Sequence, residues 1–293
     1  MAIHPVVTFL VYGAGEGRYL RQAVTSILQQ QFIDYEVLVL DDFGSAALSA
    51  EASALTQLDG RVRHLRLENT QGKWDALNQG IQKAQGELLW FFSATDALAS
   101  PQALQDYVTE FLLTPRLGLV FCRAQCVDAN GVPYEKYVPH KKNSMLPYQS
   151  TLFPSGSLFT PLLRENLMPE SGVLLRKQCL ERTGLLNPAL HRAACWHIWT
   201  LVALDWILYF DPNPRVYQRL PMSQVGMPTA GAIDGETRLV HYQALERFLV
   251  QGHYPQPFIR RARLAQLHLK QKLGLPLSVP EKLFRWIRFL TLQ

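Results

Sequence analysis

The chain has 293 residues, 48% of them hydrophobic and 18% charged, the balance of a folded protein rather than a disordered one. That length accommodates one large domain or two small ones. A net charge of +5 suits an anionic partner such as nucleotide phosphates, acidic lipid or nucleic acid, and selects none of them.

Val6 to Val11 is a continuous apolar run, the pattern of a central parallel strand, and Tyr12 to Gly17 is a turn. Leu20, Ala23, Val24, Ile27 and Leu28 then recur at helical spacing. Glu36 to Leu40 reads as a second strand ending on Asp41-Asp42, Ser45 to Leu58 as a helix, and Val62 to Leu67 as a third strand. Gly72 opens a helix carrying Trp74, Ala76, Leu77, Gly80 and Ile81, and Leu88 to Phe92 is a fourth strand. Strands alternating with helices predict an α/β layer fold with a largely parallel sheet. Its ligand should sit at the carboxyl ends of the strands, which here are Tyr12-Gly13, Asp41-Asp42 and Ser93 to Asp96.

Pro101 to Leu113 reads as a helix, Gly118 to Cys122 as a strand, and Asn130-Gly131 as a hairpin turn. Tyr137 to Leu167 has weak periodicity and reads as a long functional loop. Val173 to Arg176, Ile207 to Phe210 and Val216 to Arg219 are short strands, with helices at Lys177 to Thr183 and Cys195 to Leu204. From Asp234 the chain is helical, broken at Pro255, Pro257, Pro276 and Pro280. This divides it into residues 1–233 and a C-terminal helical extension, 234–293.

No signal peptide is read at M-A-I-H-P-V-V-T-F. The greasiest run, Ile198 to Phe210, is broken by Asp205 and is shorter than the roughly 20 residues of a spanning helix. Cys122, Cys126, Cys179 and Cys195 show no metal or redox spacing. The first two lie about 13 Å apart on an extended segment, beyond disulfide reach. A cytoplasmic protein with reduced cysteines is expected. Basic residues concentrate near the C-terminus, and Leu283, Trp286, Ile287 and Leu290 share a helical face there. Such a segment suits peripheral membrane contact.

Four segments in this order resemble family 2 glycosyltransferases of the GT-A fold: Val7 to Leu20, D-Y-E-V-L-V-L-D-D-F-G-S, G-K-W-D-A-L-N-Q-G…L-L-W-F-F-S-A-T-D-A-L, and S-G-V-L-L-R-K-Q-C-L-E-R-T-G. The resemblance runs from about Val6 to Arg219. It implies transfer of a sugar from a nucleotide sugar, such as a UDP-sugar, to a glycan or lipid-linked acceptor. It places nucleotide-sugar contacts at Tyr12, Gly13, Asp41, Asp42, Lys73 and Asp96. The family's D-x-D-D metal motif is Ser93-Ala94-Thr95-Asp96 in this sequence, and two hydroxyls with one carboxylate are a poor ligand set for manganese or magnesium. The family's Glu-Asp pair, which supplies the general base, is Ala194-Cys195, and its late Arg-x-His is Arg219-Leu220-Pro221.

No metal and no catalytic residue is therefore assigned. Lys73, Arg164 and Lys141-Lys142 are candidate cations for the leaving diphosphate, and His191 and His197 lie near the missing base. The rival reading is an inactive relative serving as a binding or scaffolding subunit. A dinucleotide fold is disfavoured because the third glycine of its fingerprint would fall on Arg18. No nucleic-acid-binding motif is present.

Overall fold

The computed structural model describes residues 5–13, 17–42, 45–67, 70, 72–134, 146–220, 233–278 and 280–281. In chain order the first half holds β1 (Val7–Gly13), α1 (Leu20–Leu28), β2 (Tyr35–Asp42), α2 (Ala46–Leu58), β3 (Val62–Leu67), α3 (Lys73–Lys83), β4 (Leu88–Ser93), β5 (Ala97–Leu98), α4 (Ala103–Leu113) and β6 (Leu117–Val127). The second half holds β7 (Thr151–Phe153), α5 (Phe159–Arg164), β8 (Val173–Arg176), α6 (Cys179–Thr183), α7 (Ala194–Asp205), β9 (Ile207–Arg219), α8 (Gly235–Gln251) and α9 (Gln256–Lys272).

One sheet runs β3-β2-β1-β4-β8-β6-β9-β5, with β7 also on β9. The expected parallel order holds for β3, β2, β1 and β4. Beyond β4 the sheet is mixed, because β8 runs antiparallel to both β4 and β6. Hydrophobic runs such as V-T-F-L-V and L-L-W-F-F are buried on both faces. Val37 and Val39 belong to the core on one face, with α1, α2 and α4, while Leu38 and Leu40 belong to the core on the other, with α3 and α7. Phe9, Trp90 and Tyr107 stack in series at 5.0 and 5.1 Å between ring centres.

The polar exceptions in these strands are paired. Thr8 Oγ1 donates to Glu36 at 2.8 Å and accepts from the Gly86 amide at 2.9 Å. Glu36 also accepts from Arg63 at 2.8 Å and from the Gln85 amide at 2.7 Å. This network pins the entry ends of β1, β2, β3 and β4, opposite the edge where a ligand is expected.

Three sequence readings change. The two short strands after Leu204 are one strand, β9, which bulges around Pro212 to Arg215 where the register on β6 jumps. D-P-N-P-R has the composition of a turn, but Asp211 holds it by accepting from the Asn213 amide and Arg215 Nε. The predicted strand at Gly118 continues to Val127. The predicted long loop contains β7 and α5, while its residues 137–145 lie outside those described. The Asn130-Gly131 turn is present, with Asp128 accepting from the Asn130 and Val132 amides. All four cysteines are free and buried.

α8 and α9 form a helical hairpin. Asp234 caps α8 by accepting from the Thr237 amide at 2.8 Å, and Pro255 starts α9. Tyr242, Leu245, Leu249, Ile259 and Ala262 join the core that contains α5 and α7. No described helix is long and apolar enough to cross a membrane.

A methyl group at Gly86 would lie 2.6 Å from the Thr8 backbone nitrogen, which cannot move without breaking β1. Gly86→Ala should cost about 2 kcal/mol or more in urea unfolding. Gly60→Ala, where an added methyl meets nothing within 4 Å, should stay within about 0.5 kcal/mol.

Candidate functional site

The strand register brings the carboxyl ends together. Gly13 lies opposite Asp41, and Tyr12 lies opposite both Leu40 and Ser93. Side chains alternate along β2, so its two acids part company. Asp41 is fully buried on the α2 side, where its Oδ2 accepts from Ser49 at 2.5 Å and lies 3.0 Å from His64 Nε2. Asp42 turns to the other face, accepting from Tyr12 OH at 3.2 Å and from Thr70 Oγ1. Burial first, then the charge and hydrogen bond of Asp42, push the Tyr12 phenol up to about 12, so Tyr12 stays protonated.

Lys73 opens α3 at this edge. Its ammonium lies 5.8 Å from the Tyr12 ring centre and 4.8 Å from that of Trp74, and 2.5 Å from Glu170 Oε1. Burial pulls the Lys73 ammonium down, but Glu170, then Cys195 and Asp96, outweigh it and hold Lys73 above its ordinary value. A charged lysine at a helix N-terminus is an anion-binding arrangement.

The elbow after β4 is held by groups distant in sequence. Asp96 accepts from Ser171 Oγ at 2.6 Å on one oxygen and from the Arg219 amide at 3.2 Å on the other. Ser171 also accepts from the Ser93 amide at 3.1 Å, and its carbonyl accepts from Trp90 Nε1 at 2.7 Å. The Arg219 guanidinium donates to the carbonyls of Thr95, Asp128 and Ala129 and to Gln22 Oε1, and it sits 4.3 Å from the Tyr19 ring centre. Burial raises Asp96 to about 6, although the Ser171 and Arg219 hydrogen bonds oppose the shift.

Residues 10–161 match the family described as Glycosyl transferase family 2. The chain belongs to that family. It is 30% identical over 122 residues to the O-antigen biosynthesis protein RfbC of Myxococcus xanthus, a match covering 41% of this chain and 9% of RfbC. The chain spans less than two thirds of the length of the curated relatives it matches. Two solved structures show the GT-A fold. The mannosyltransferase PcManGT from Pyrobaculum calidifontis, in complex with GDP-Man and Mn2+, is 17% identical, with a TM-score of 0.57 over 99% of this chain and 81% of its own. S. aureus TarS 1–349, in complex with UDP-GlcNAc, is 14% identical, with a TM-score of 0.61 over 90% of this chain and 71% of its own.

This family 2 chain does not offer a divalent cation a fitting donor set at the elbow. Ser93 and Thr95 bond each other at 2.8 Å, and both Asp96 oxygens are already acceptors. Hard cations need several carboxylate or carbonyl oxygens, and no group of three His, Cys, Asp or Glu side chains that could hold a metal occurs among the described residues.

The other sequence candidates separate. Cys195 lies buried at the start of α7, its thiol held well above the ordinary range by burial and then by Glu170. His197 points into the α7–α8 interface, where its Nδ1 is 3.2 Å from that of His241, and burial lowers it to about 4. His191 is exposed and has a positive φ of 44°. Arg164 ends α5 at an exposed position, and its carbonyl accepts from Arg238. Lys141 and Lys142 lie outside the described residues. Glu170, Ser171 and the clamp role of Arg219 were missed. The first two form a 3-10 turn with Gly172 between the end of the stretch read as a loop and the strand at Val173, and only the S-G-V-L-L-R segment hinted at it.

Asp96 supplies a pH test. Its carboxyl has an ordinary value of 3.8 and titrates at about 6 when folded, so between those values the folded state binds more protons. Stability falls as pH rises through that window, by roughly 3 kcal/mol in all. Urea midpoints of wild type and Asp96→Asn from pH 4 to 7.5 should diverge, the variant gaining relative to wild type as pH rises. Parallel profiles would contradict this.

Proposed function

We propose that the chain transfers a sugar from a nucleoside-diphosphate sugar to a hydroxyl of a glycan or lipid-linked acceptor. The observation that carries this reading is the convergence of Tyr12, Asp42 and Lys73 on one strand edge, beside the Asp96 elbow. Tyr12, Gly13 and Asp42 would receive the nucleoside, with Asp41 ordering the end of β2 from beneath through Ser49 and His64. Lys73 and the α3 N-terminus would face the diphosphate. Asp96 would shape the elbow against the sugar. The donors bound to PcManGT and TarS are both nucleotide sugars, which supports the class without choosing the base or the sugar.

In this reading a cationic side chain meets the charge that develops on the leaving diphosphate, the role a metal would otherwise fill. The poor donor set at Ser93, Thr95 and Asp96 also favours a second reading, an inactive relative that binds or scaffolds.

Residues 234–293 hold ten of the 29 lysines and arginines against four of the 24 acids, which concentrates the basic excess in the helical extension. Arg260, Arg261 and Lys272 are exposed on α9. A basic face of this kind supports contact with an anionic membrane surface near a lipid-linked acceptor. The sequence-predicted amphipathic face from Leu283 to Leu290 lies outside the described residues.

Titration calorimetry with UDP, GDP and their sugars, with and without manganese, tests the assignment. Binding should occur without metal and weaken at least tenfold in Lys73→Ala. A Ser93→Asp, Thr95→Asp double variant should gain manganese-dependent binding. Absence of any nucleotide binding in wild type would favour the scaffold.

A further inference from the structure

We propose that Glu170 is the general base of the transfer and that Lys73 holds it in reserve until a diphosphate draws Lys73 away. This rests on the glycosyl-transfer reading above and adds the proton acceptor which that reading leaves unassigned.

The position of Glu170 argues for it. Its 3-10 turn is anchored to the elbow by the next residue, Ser171, which bonds both Asp96 and the Ser93 amide. The Glu170 side chain itself is 26% exposed, enough to meet a substrate. Four groups of the site feel its charge. It is the strongest favourable partner of Lys73, and it raises Cys195, Asp96 and Tyr12. Its contact with the Lys73 ammonium at the start of α3, at 2.5 Å, puts the carboxylate at this edge.

The other groups are committed. Asp96 accepts from Ser171 and Arg219, Asp41 from Ser49 and His64, and Asp42 from Tyr12 and Thr70. Cys195 is a protonated thiol, and His197 is buried against His241. Glu170 alone in this set is held by a cation, Lys73, for which a bound diphosphate competes directly. Donor binding therefore exchanges one ion pair for another and leaves a carboxylate without its counter-cation, the state that best accepts a proton.

The step balances as follows. The Glu170 carboxylate takes the proton of the acceptor hydroxyl as that oxygen bonds the anomeric carbon. The bond from the anomeric carbon to the phosphate oxygen breaks, and its electron pair leaves with the nucleoside diphosphate, whose new charge faces Lys73.

Glu170→Gln in the 293-residue chain tests this by two readouts, UDP and GDP binding by calorimetry and nucleoside-diphosphate release from UDP- and GDP-sugars with water as acceptor. The variant should bind nucleotide as tightly as wild type or up to tenfold more tightly, because Lys73 loses its competitor. Its turnover should fall at least a hundredfold. Glu170→Asp should recover part of the rate. Turnover within threefold of wild type would overturn the assignment. So would wild-type nucleotide binding without any release, which leaves the nucleotide-binding reading standing. No nucleotide binding by wild type would instead overturn the reading beneath it.

Discussion

The Asp96 carboxylate is the constraint on which the edge depends. Its two oxygens join the end of β4 to a hydroxyl 75 residues later and to a backbone amide 123 residues later. A buried carboxylate is costly unless its lone pairs are filled, so the elbow, the 3-10 turn before β8 and the end of β9 must arrive together. Arg219 completes the closure, spreading its guanidinium over Thr95, the Asp128-Ala129 turn and α1. Remove the carboxylate and three segments lose their common anchor.

This closure sets the electrostatics of the site. Ser171 is fixed against the elbow, so the neighbouring Glu170 is delivered to Lys73. Burial makes each charge there sensitive to the others. Tyr12 is kept protonated, Cys195 is kept a thiol, and Lys73 is kept charged. The site thus presents one ion pair, Lys73–Glu170, beside a protonated phenol, a protonated thiol and a buried carboxyl that titrates at about 6.

The far side of the sheet explains why the greasy α7 segment is not a membrane span. Every residue from Ala194 to Leu204 is buried, between the sheet and α8. Three of its polar members find partners inside: Trp196 Nε1 donates to the Leu162 carbonyl at 2.8 Å, Thr200 to the Trp196 carbonyl, and His197 meets His241, while the Trp199 indole N–H has no hydrogen-bond partner among the described residues. α8 covers α7, and α9 packs on α8 and α5 with Arg260, Arg261 and Lys272 exposed.

Much of this was legible in the sequence. Apolar runs at Val7 to Val11 and Leu88 to Phe92, and helical stripes such as Leu20 to Leu28, report local periodicity, which one chain segment encodes alone. The order of those segments named the family and located Tyr12, Asp42 and Asp96 at strand ends and Lys73 at a helix start. Periodicity could not show that Asp41 and Asp42 face opposite ways into different environments, that D-P-N-P-R is a bulge inside one long strand, or that β8 enters the sheet reversed. Nor could it show Glu170. Its pairing with Lys73 spans about a hundred residues and depends on β8 lying beside β4. The sequence by itself determined which segments are buried and where the strands end, because burial is dictated by side-chain chemistry position by position. Only the tertiary structure decided which charges meet, because that is a matter of distances between segments with no local signal.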